Sequence, residues 1–237
     1  MNLVSLKKID LDQKFLAEEN DGLKIYRGYG HYYVVFDNCA KLSDALFWKD
    51  LSEEACNLIV PIKSLIVFKG KCAGYITNIH YGIDGMTALN KTYDDLEKRK
   101  ILAYFLVDLY EKLNNKGMAY TNWTLQDILI ENTRKFKLTK PHFLVDIVMH
   151  NEFDSPILEY NFCEMIFSIL YGIDFSVVNA EEIPDLNIPE AIKDVLGKRK
   201  NEKITLPIIK DIIRYTKNEF VIDPQIQKLK RTYNPNN

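Results

Sequence analysis

No run of apolar residues in this 237-residue chain approaches the roughly 20 needed to cross a bilayer, so no membrane association is expected. The opening MNLVSLKKIDLDQKF has no apolar signal core, and the expected location is the cytoplasm. Cysteine is scarce. Cys39, Cys56, Cys72 and Cys163 form no C-x-x-C pair, so free, buried thiols are expected rather than disulfides or zinc ligands. His31, His80, His142 and His150 show no ligand spacing, which argues against a histidine-held metal. A charge excess is missing too: 31 basic against 33 acidic residues leaves −2 and no basic footprint for nucleic acid. The small basic cluster Lys228, Lys230 and Arg231 is read as solvated tail.

What remains is an ordinary globular composition, 47% apolar and 27% charged, in a chain long enough for one large domain or two small ones. The first third is strand-like. Segments 23–27 and 31–36 flank Gly28-Tyr29-Gly30, a hairpin signal. A short helix is predicted over 43–51, with Ser43 as its cap. A second hairpin, SLIVF–KGK–CAGYITNI, turns at Gly70.

From residue 92 the period becomes helical. Thr92 to Asp95 resembles a capping box, Gly117 is a natural stop, and Ile101, Leu102, Phe105, Leu106, Leu109 and Leu113 share a face. A second helix, 157–171, is apolar on too many sides for a surface position and should be central. Amphipathic helices are predicted over 189–196 and 206–217, the latter marked by Ile208, Ile209, Ile212 and Ile213. The closing YNPNN is expected to fray. The predicted organisation is a small β-rich lobe with one short helix over 1–80 and a helical lobe over 81–237. A crossing near Asn78 to Gly85 would be eased by Gly82 and Gly85.

Two local motifs carry a resemblance. After the long helix and Gly117 comes Tyr120-Thr-Asn-Trp-Thr-Leu-Gln-Asp127, then an apolar strand; further on comes Phe143-Leu-Val-Asp146. Their order resembles the H-R-D-L-x-x-x-N loop and D-F-G of a protein-kinase-like fold in a compact, bacterial-type form. The resemblance implies an α+β, two-lobe architecture with a β-rich N-lobe and a mainly helical C-lobe. It also assigns roles. Asn122 stands where the catalytic base would be, and an amide cannot accept a proton near neutral pH. Asp127 takes the place of the asparagine that helps hold magnesium, and Asp146 alone survives of D-F-G. The two aspartates could hold Mg2+ with a weakly bound ATP. The interval between them exceeds the family's usual one, which implies either an extended hairpin (ENTRKFKLTKPH) or a shifted alignment.

The same comparison finds the N-lobe poorly equipped. The phosphate-binding lysine position falls on Val34 or Asp37, Glu53 and Glu54 lie beyond the predicted helix, and the glycine loop is reduced to Gly28 and Gly30. Lys24 and Lys63 are the remaining cations that could reach a phosphate. The expected function is therefore that of a pseudokinase-like protein-binding or regulatory module, with a protein partner and no cofactor. The alternative is a divergent ATP/Mg-dependent phosphotransferase, kinase-like or aminoglycoside-phosphotransferase-like, with a rearranged site. An assembly component without any ligand is a third possibility.

Overall fold

A computed structural model describes residues 3–11, 14–20, 22–91, 95–132, 135–147, 156–173, 175, 178–179, 181–197 and 206–221. The fold is α+β. The chain forms two compact units, one comprising Met1–Gly82 with Lys137–Leu144, the other Ile83–Phe136 with Val145–Asn237. The first unit thus takes in a segment, 137–144, that the predicted boundary at residue 80 leaves out.

The first unit is built on a six-stranded sheet: β1 (Leu3–Ser5), β2 (Phe15–Asn20), β3 (Leu23–Gly28), β4 (His31–Ala40), β5 (Ser64–Phe68) and β6 (Lys71–Asn78). Their order is β1-β5-β6-β4-β3-β2, and only β1 with β5 is parallel among the registered pairs. Both tight hairpins close through two left-handed residues, Tyr29–Gly30 (φ 51° and 77°) and Lys69–Gly70 (φ 48° and 76°). That is the turn whose twist suits paired strands. Gly74 answers a different need. A Cβ there would lie 1.9 Å from the Val34 carbonyl oxygen, so β4 and β6 can approach this closely only at glycine.

The sheet has two apolar faces. Helix α1 (Leu42–Glu54) covers Leu23, Val34, Leu65 and Tyr75 with Ala45, Leu46 and Trp48. On the opposite face Val4, Leu6 and Ile9 cover Tyr33, Ile66 and Ile76. Helix α1 is longer than predicted, and its N-cap is Lys41; the Ser43 hydroxyl instead donates to Asp44 (3.0 Å). Glu53 and Glu54 therefore lie inside the helix, not beyond it. The 137–144 segment joins this unit through backbone bonds: Leu138 N–H donates to Leu58 O (2.9 Å), and Val60 N–H to Leu138 O (2.8 Å).

In the second unit β7 (Ile83–Asp84) leads into α2 (Gly85–Lys91), followed by α3 (Leu96–Asn114) and β8 (Met118–Tyr120). Asp95, not Thr92, caps α3: its side chain accepts from Lys98 N–H, whereas residues 92–94 lie outside the described set. The hairpin β9 (Ile128–Asn132) and β10 (Lys135–Leu138) follows, then β11 (Leu144–Asp146), which pairs with β8. The remaining helices are α4 (Pro156–Tyr171), α5 (Glu190–Gly197), α6 (Leu206–Tyr215) and α7 (Asn218–Val221). No described helix is long and apolar enough to cross a membrane.

The core of this unit sits where α3 meets α4 and α6. The buried stripe of α3 runs through Arg99, Leu102, Ala103, Leu106, Leu109, Tyr110 and Leu113. Ile101, expected on that stripe, is 53% exposed, because the arginine two residues earlier turns inward in its place. Likewise Ile208 of α6 is exposed, while Ile209, Ile212 and Ile213 are buried. Helix α4 is enclosed on nearly every side, with Phe162, Cys163, Ile166, Phe167, Ile169 and Leu170 all buried. It ends at Gly172 (φ 65°), whose N–H bonds Ser168 O at 2.7 Å. Trimming Ile166 to alanine should cost about 2–5 kcal/mol in a urea or thermal melt, as expected where no neighbour can collapse into the space.

Candidate functional site

The loop between β8 and β9 is shaped by what it buries. Tyr120, Trp123, Leu125 and Asp127 are all inward, while the residues between them are half-buried or exposed. The Trp123 ring lies 5.3 Å from Tyr120, 5.7 Å from Tyr110 of α3 and 4.8 Å from Phe162 of α4, a cluster that fixes the loop onto the two central helices. A short 3₁₀ turn, Leu125–Asp127, then leads into β9. The start of α2 presses on the same loop: a Cβ on Gly85 would lie 2.7 Å from the Leu125 carbonyl oxygen. Gly85 is thus required for close packing, not for the flexible crossing expected of it. Asp84 caps α2 beside it, accepting from Thr87 N–H and Oγ1 at 2.7 Å each.

Within this loop the Asn122 side-chain amide donates to Asp127 Oδ2 across 3.4 Å, a long bond that nevertheless closes the loop on itself. Asp127 is 1% exposed, so a carboxyl group is held out of water here. Asp146 ends β11 and is half-buried; the next residue, Ile147, donates its N–H to Gly117 O (2.9 Å). The structure thus brings Asn122 and Asp127 together. Among the described residues, no group of three or more His, Cys, Asp or Glu converges as a metal-binding cluster.

The hairpin expected to be extended is short. Strand β10 ends at Leu138, and after Thr139 come Lys140, Pro141 and His142. These residues, to which the sequence assigned no role, belong to the first unit and are tightly held there. Lys140 is 9% exposed and its Nζ lies 3.2 Å from Glu18 Oε1 of β2. His142 sits among the rings of Phe36 (5.4 Å), Trp48 (6.2 Å), Tyr75 (5.7 Å) and Phe143 (4.3 Å). Its Nδ1 is 2.8 Å from the Tyr75 hydroxyl. Burial, reinforced by the Lys140 ammonium, lowers its pKa from the ordinary 6.5 to about 3. The one available signal was the overlong interval from Asp127 to Asp146.

The other N-terminal candidates have local roles. Gly28 is the last residue of β3, paired with His31, and Gly30 completes a two-residue turn; so short a turn offers no string of N–H groups to a phosphate. Strand β4 carries no lysine: Val34 is buried under α1 and Asp37 is exposed. Lys24 pairs with Glu19 (2.6 Å), which raises its pKa through their hydrogen bond, and Lys63 lies 3.1 Å from His31 Nε2. Glu53 pairs with Lys49 of its own helix. The four cysteines are free, as expected, but Cys39 and Cys56 are exposed and only Cys72 and Cys163 buried. Burial raises the pKa of both inner thiols, which keeps them protonated. His150 lies outside the described residues.

No protein-family model matches this chain, and no curated protein matches it in sequence. The site is therefore read from its own chemistry. Two outcomes follow. Replacing Asp127 by alanine should cost roughly 1–3 kcal/mol of stability, because a buried acceptor is removed from the donors around it. The second concerns His142. Its lowered pKa means that the unfolded chain takes up a proton below pH 6.5 that the folded chain refuses until about pH 3. Stability present above pH 6.5 should be lost on acidification with a slope of up to about 1.4 kcal/mol per pH unit, and His142→Gln should remove that contribution in melts from pH 7 to 4.

Proposed function

We propose that this chain is a protein-kinase-like module, α+β and two-lobed, that has lost ordinary phosphotransfer and works by binding a protein partner. The observation that carries the reading is the closed Asn122–Asp127 loop. At the position where a kinase needs a proton acceptor stands an amide, and that amide is turned onto a carboxylate with 1% exposure rather than presented outward. The loop keeps a catalytic outline in its backbone while its polar groups serve each other.

Three further features support it. Strands β2–β4, helix α1 and the β5–β6 hairpin run in the order that the resemblance implies, and a mainly helical unit follows. The strand in the lysine-bearing position, β4, offers Val34 to the core and no lysine or arginine anywhere along its length. Two residues beyond the β9–β10 hairpin stands Lys140, an ammonium where a shifted alignment would need a magnesium-holding carboxylate. Phosphoryl transfer depends chiefly on positioning and on charge stabilisation around the phosphates, so these losses compound.

Incubation with millimolar ATP and Mg2+ should leave the melting temperature nearly unchanged, because stabilisation grows only as RT ln(1 + [L]/Kd). Radiolabelled ATP with magnesium or manganese should give no labelling of the protein or a generic acceptor, and intact-mass analysis should find no transferred nucleotide. A shift of several degrees, or labelling lost on Asp146→Ala, would establish the divergent phosphotransferase instead. The exchange Asn122→Asp with Asp127→Asn should remain silent, since it restores the loop without supplying a phosphate-binding lysine.

A further inference from the structure

Within the second unit a cleft of about 340 Å³ opens between the first turns of α3 and the junction of α6 with α7. That size falls at the small end of the roughly 300–1,000 Å³ that ligand sites occupy. Three cations line it, Lys100, Arg214 and Lys217, against a single carboxylate, Glu97. The same helix pair handles charge differently elsewhere. Lys210 Nζ of α6 lies 2.6 Å from Glu111 Oε1 of α3, so opposite signs meet there. Arg214 follows Lys210 by about one helical turn, and Lys100 precedes Glu111 by about three, so each pair shares one side of its helix. The helix sides that meet as an ion pair in one place thus gather cations at the cleft.

These cations are only partly satisfied. Lys100 is held by Glu97 at 3.1 Å, with its own side chain 15% exposed. Lys217 lies 3.5 Å from Glu219, longer than a charge-assisted hydrogen bond. Arg214 has no carboxylate partner among the described residues; its guanidinium lies 5.6 Å from the Tyr215 ring, a contact that consumes none of its N–H donors. The nearby Asp95 offers no compensation, because it caps α3 through Lys98 N–H and pairs with the Lys98 ammonium at 3.0 Å. The dipole of α6 favours cations at its C-terminal end and accounts for Arg214 and Lys217. It does not account for Lys100, which comes from near the start of α3, where a helix favours the opposite sign.

We propose that this cleft binds a small phosphate monoester, with the phosphate on Arg214 between Lys100 and Lys217 and the organic body against Tyr215. A guanidinium fork matches the paired oxygens of a phosphate, and the two ammonium groups add point charge beside it. A dianion placed among three cations turns their mutual repulsion into attraction. Tyr215, 64% exposed, gives the organic body an aromatic wall. The backbone that carries these groups is anchored, since Thr216 between them is 1% exposed and its hydroxyl donates to Ile212 O at 2.8 Å.

Titration of the full chain with phenyl phosphate at low salt, followed through backbone amide shifts, should give a Kd on the order of 1 mM. The shifts should be confined to the start of α3 and residues 214–218. Binding this weak barely moves a melt in millimolar ATP, and its loss on Arg214→Gln separates it from any signal lost on Asp146→Ala. Phenol should not bind, and orthophosphate should bind more weakly than phenyl phosphate for want of the ring. Arg214→Gln should weaken binding about tenfold, and added salt should weaken it further. Glu97→Gln should tighten it about threefold, because the opposing carboxylate is gone and Lys100 is released. Both positions are exposed, so these variants should melt like the parent. If Arg214→Gln does not, Lys217→Gln, at a side chain 68% exposed, carries the charge test. An absence of shifts up to about 20 mM phenyl phosphate would overturn the inference. So would binding unchanged in Arg214→Gln or weakened in Glu97→Gln. Orthophosphate binding as tightly as phenyl phosphate would overturn it as well, by reducing the cleft to a place for counter-ions.

Discussion

The packing of Trp123 against Tyr110 and Phe162 is the contact on which the candidate site depends. It fastens a loop to the two central helices of its unit, and it does so with apolar surface alone. Hydrophobic burial is indifferent to whether residue 122 is an acid or an amide. The outline of this loop is therefore set by forces that act on Tyr120, Trp123 and Leu125 and not on the polar residues between them. Shape and reactivity are decoupled at this place, and only the polar residues report on reactivity.

Electrostatics in the first unit follow one pattern. Lys24, Lys63 and Lys140 each have a partner on the same unit, respectively Glu19, His31 and Glu18. The exposed Lys24 pair adds little to stability. Lys140 is different, because an ammonium held out of water needs its carboxylate partner far more than an exposed one does. That same ammonium lowers the pKa of His142 nearby, so the segment after β10 couples a buried cation to an imidazole kept neutral among aromatic rings.

The legible parts of this fold were those governed by periodicity or by turn chemistry. The all-round apolar run of α4 announced a central helix, and Gly30 and Gly70 marked turns that need left-handed backbone. Failures came where several residues could fill one role. Ser43 had the right side chain for a cap, yet the helix began a residue earlier and left it bonding to Asp44. On α3 the pattern could not reveal that Arg99 would turn inward, because arginine is rarely buried and its position moved the stripe away from Ile101. Gly85 read as a hinge because the backbone carbonyl it makes room for, that of Leu125, lies forty residues on. At the site, Asn122 and Asp127 were legible through their spacing, whereas nothing in the pattern showed that Lys140 and His142 would be held in the first unit, because their partners Glu18 and Tyr75 lie far away in sequence.

The discontinuity of the first unit bears on how the chain is made. Its sheet is encoded within the first 82 residues, but Leu138 supplies backbone partners to Leu58 and Val60, and the His142 ring supplies a side-chain partner to the Tyr75 hydroxyl. On the ribosome those partners emerge some sixty residues after β6, once all of α3 and the loop behind it have already been synthesised. The stretch between α1 and β5 must wait, incompletely satisfied, for a segment that arrives from much later in the chain. Proteolytic or recombinant fragments ending near residue 82 would carry that same deficit permanently, so the natural unit of inheritance for this small sheet is the longer stretch through residue 144.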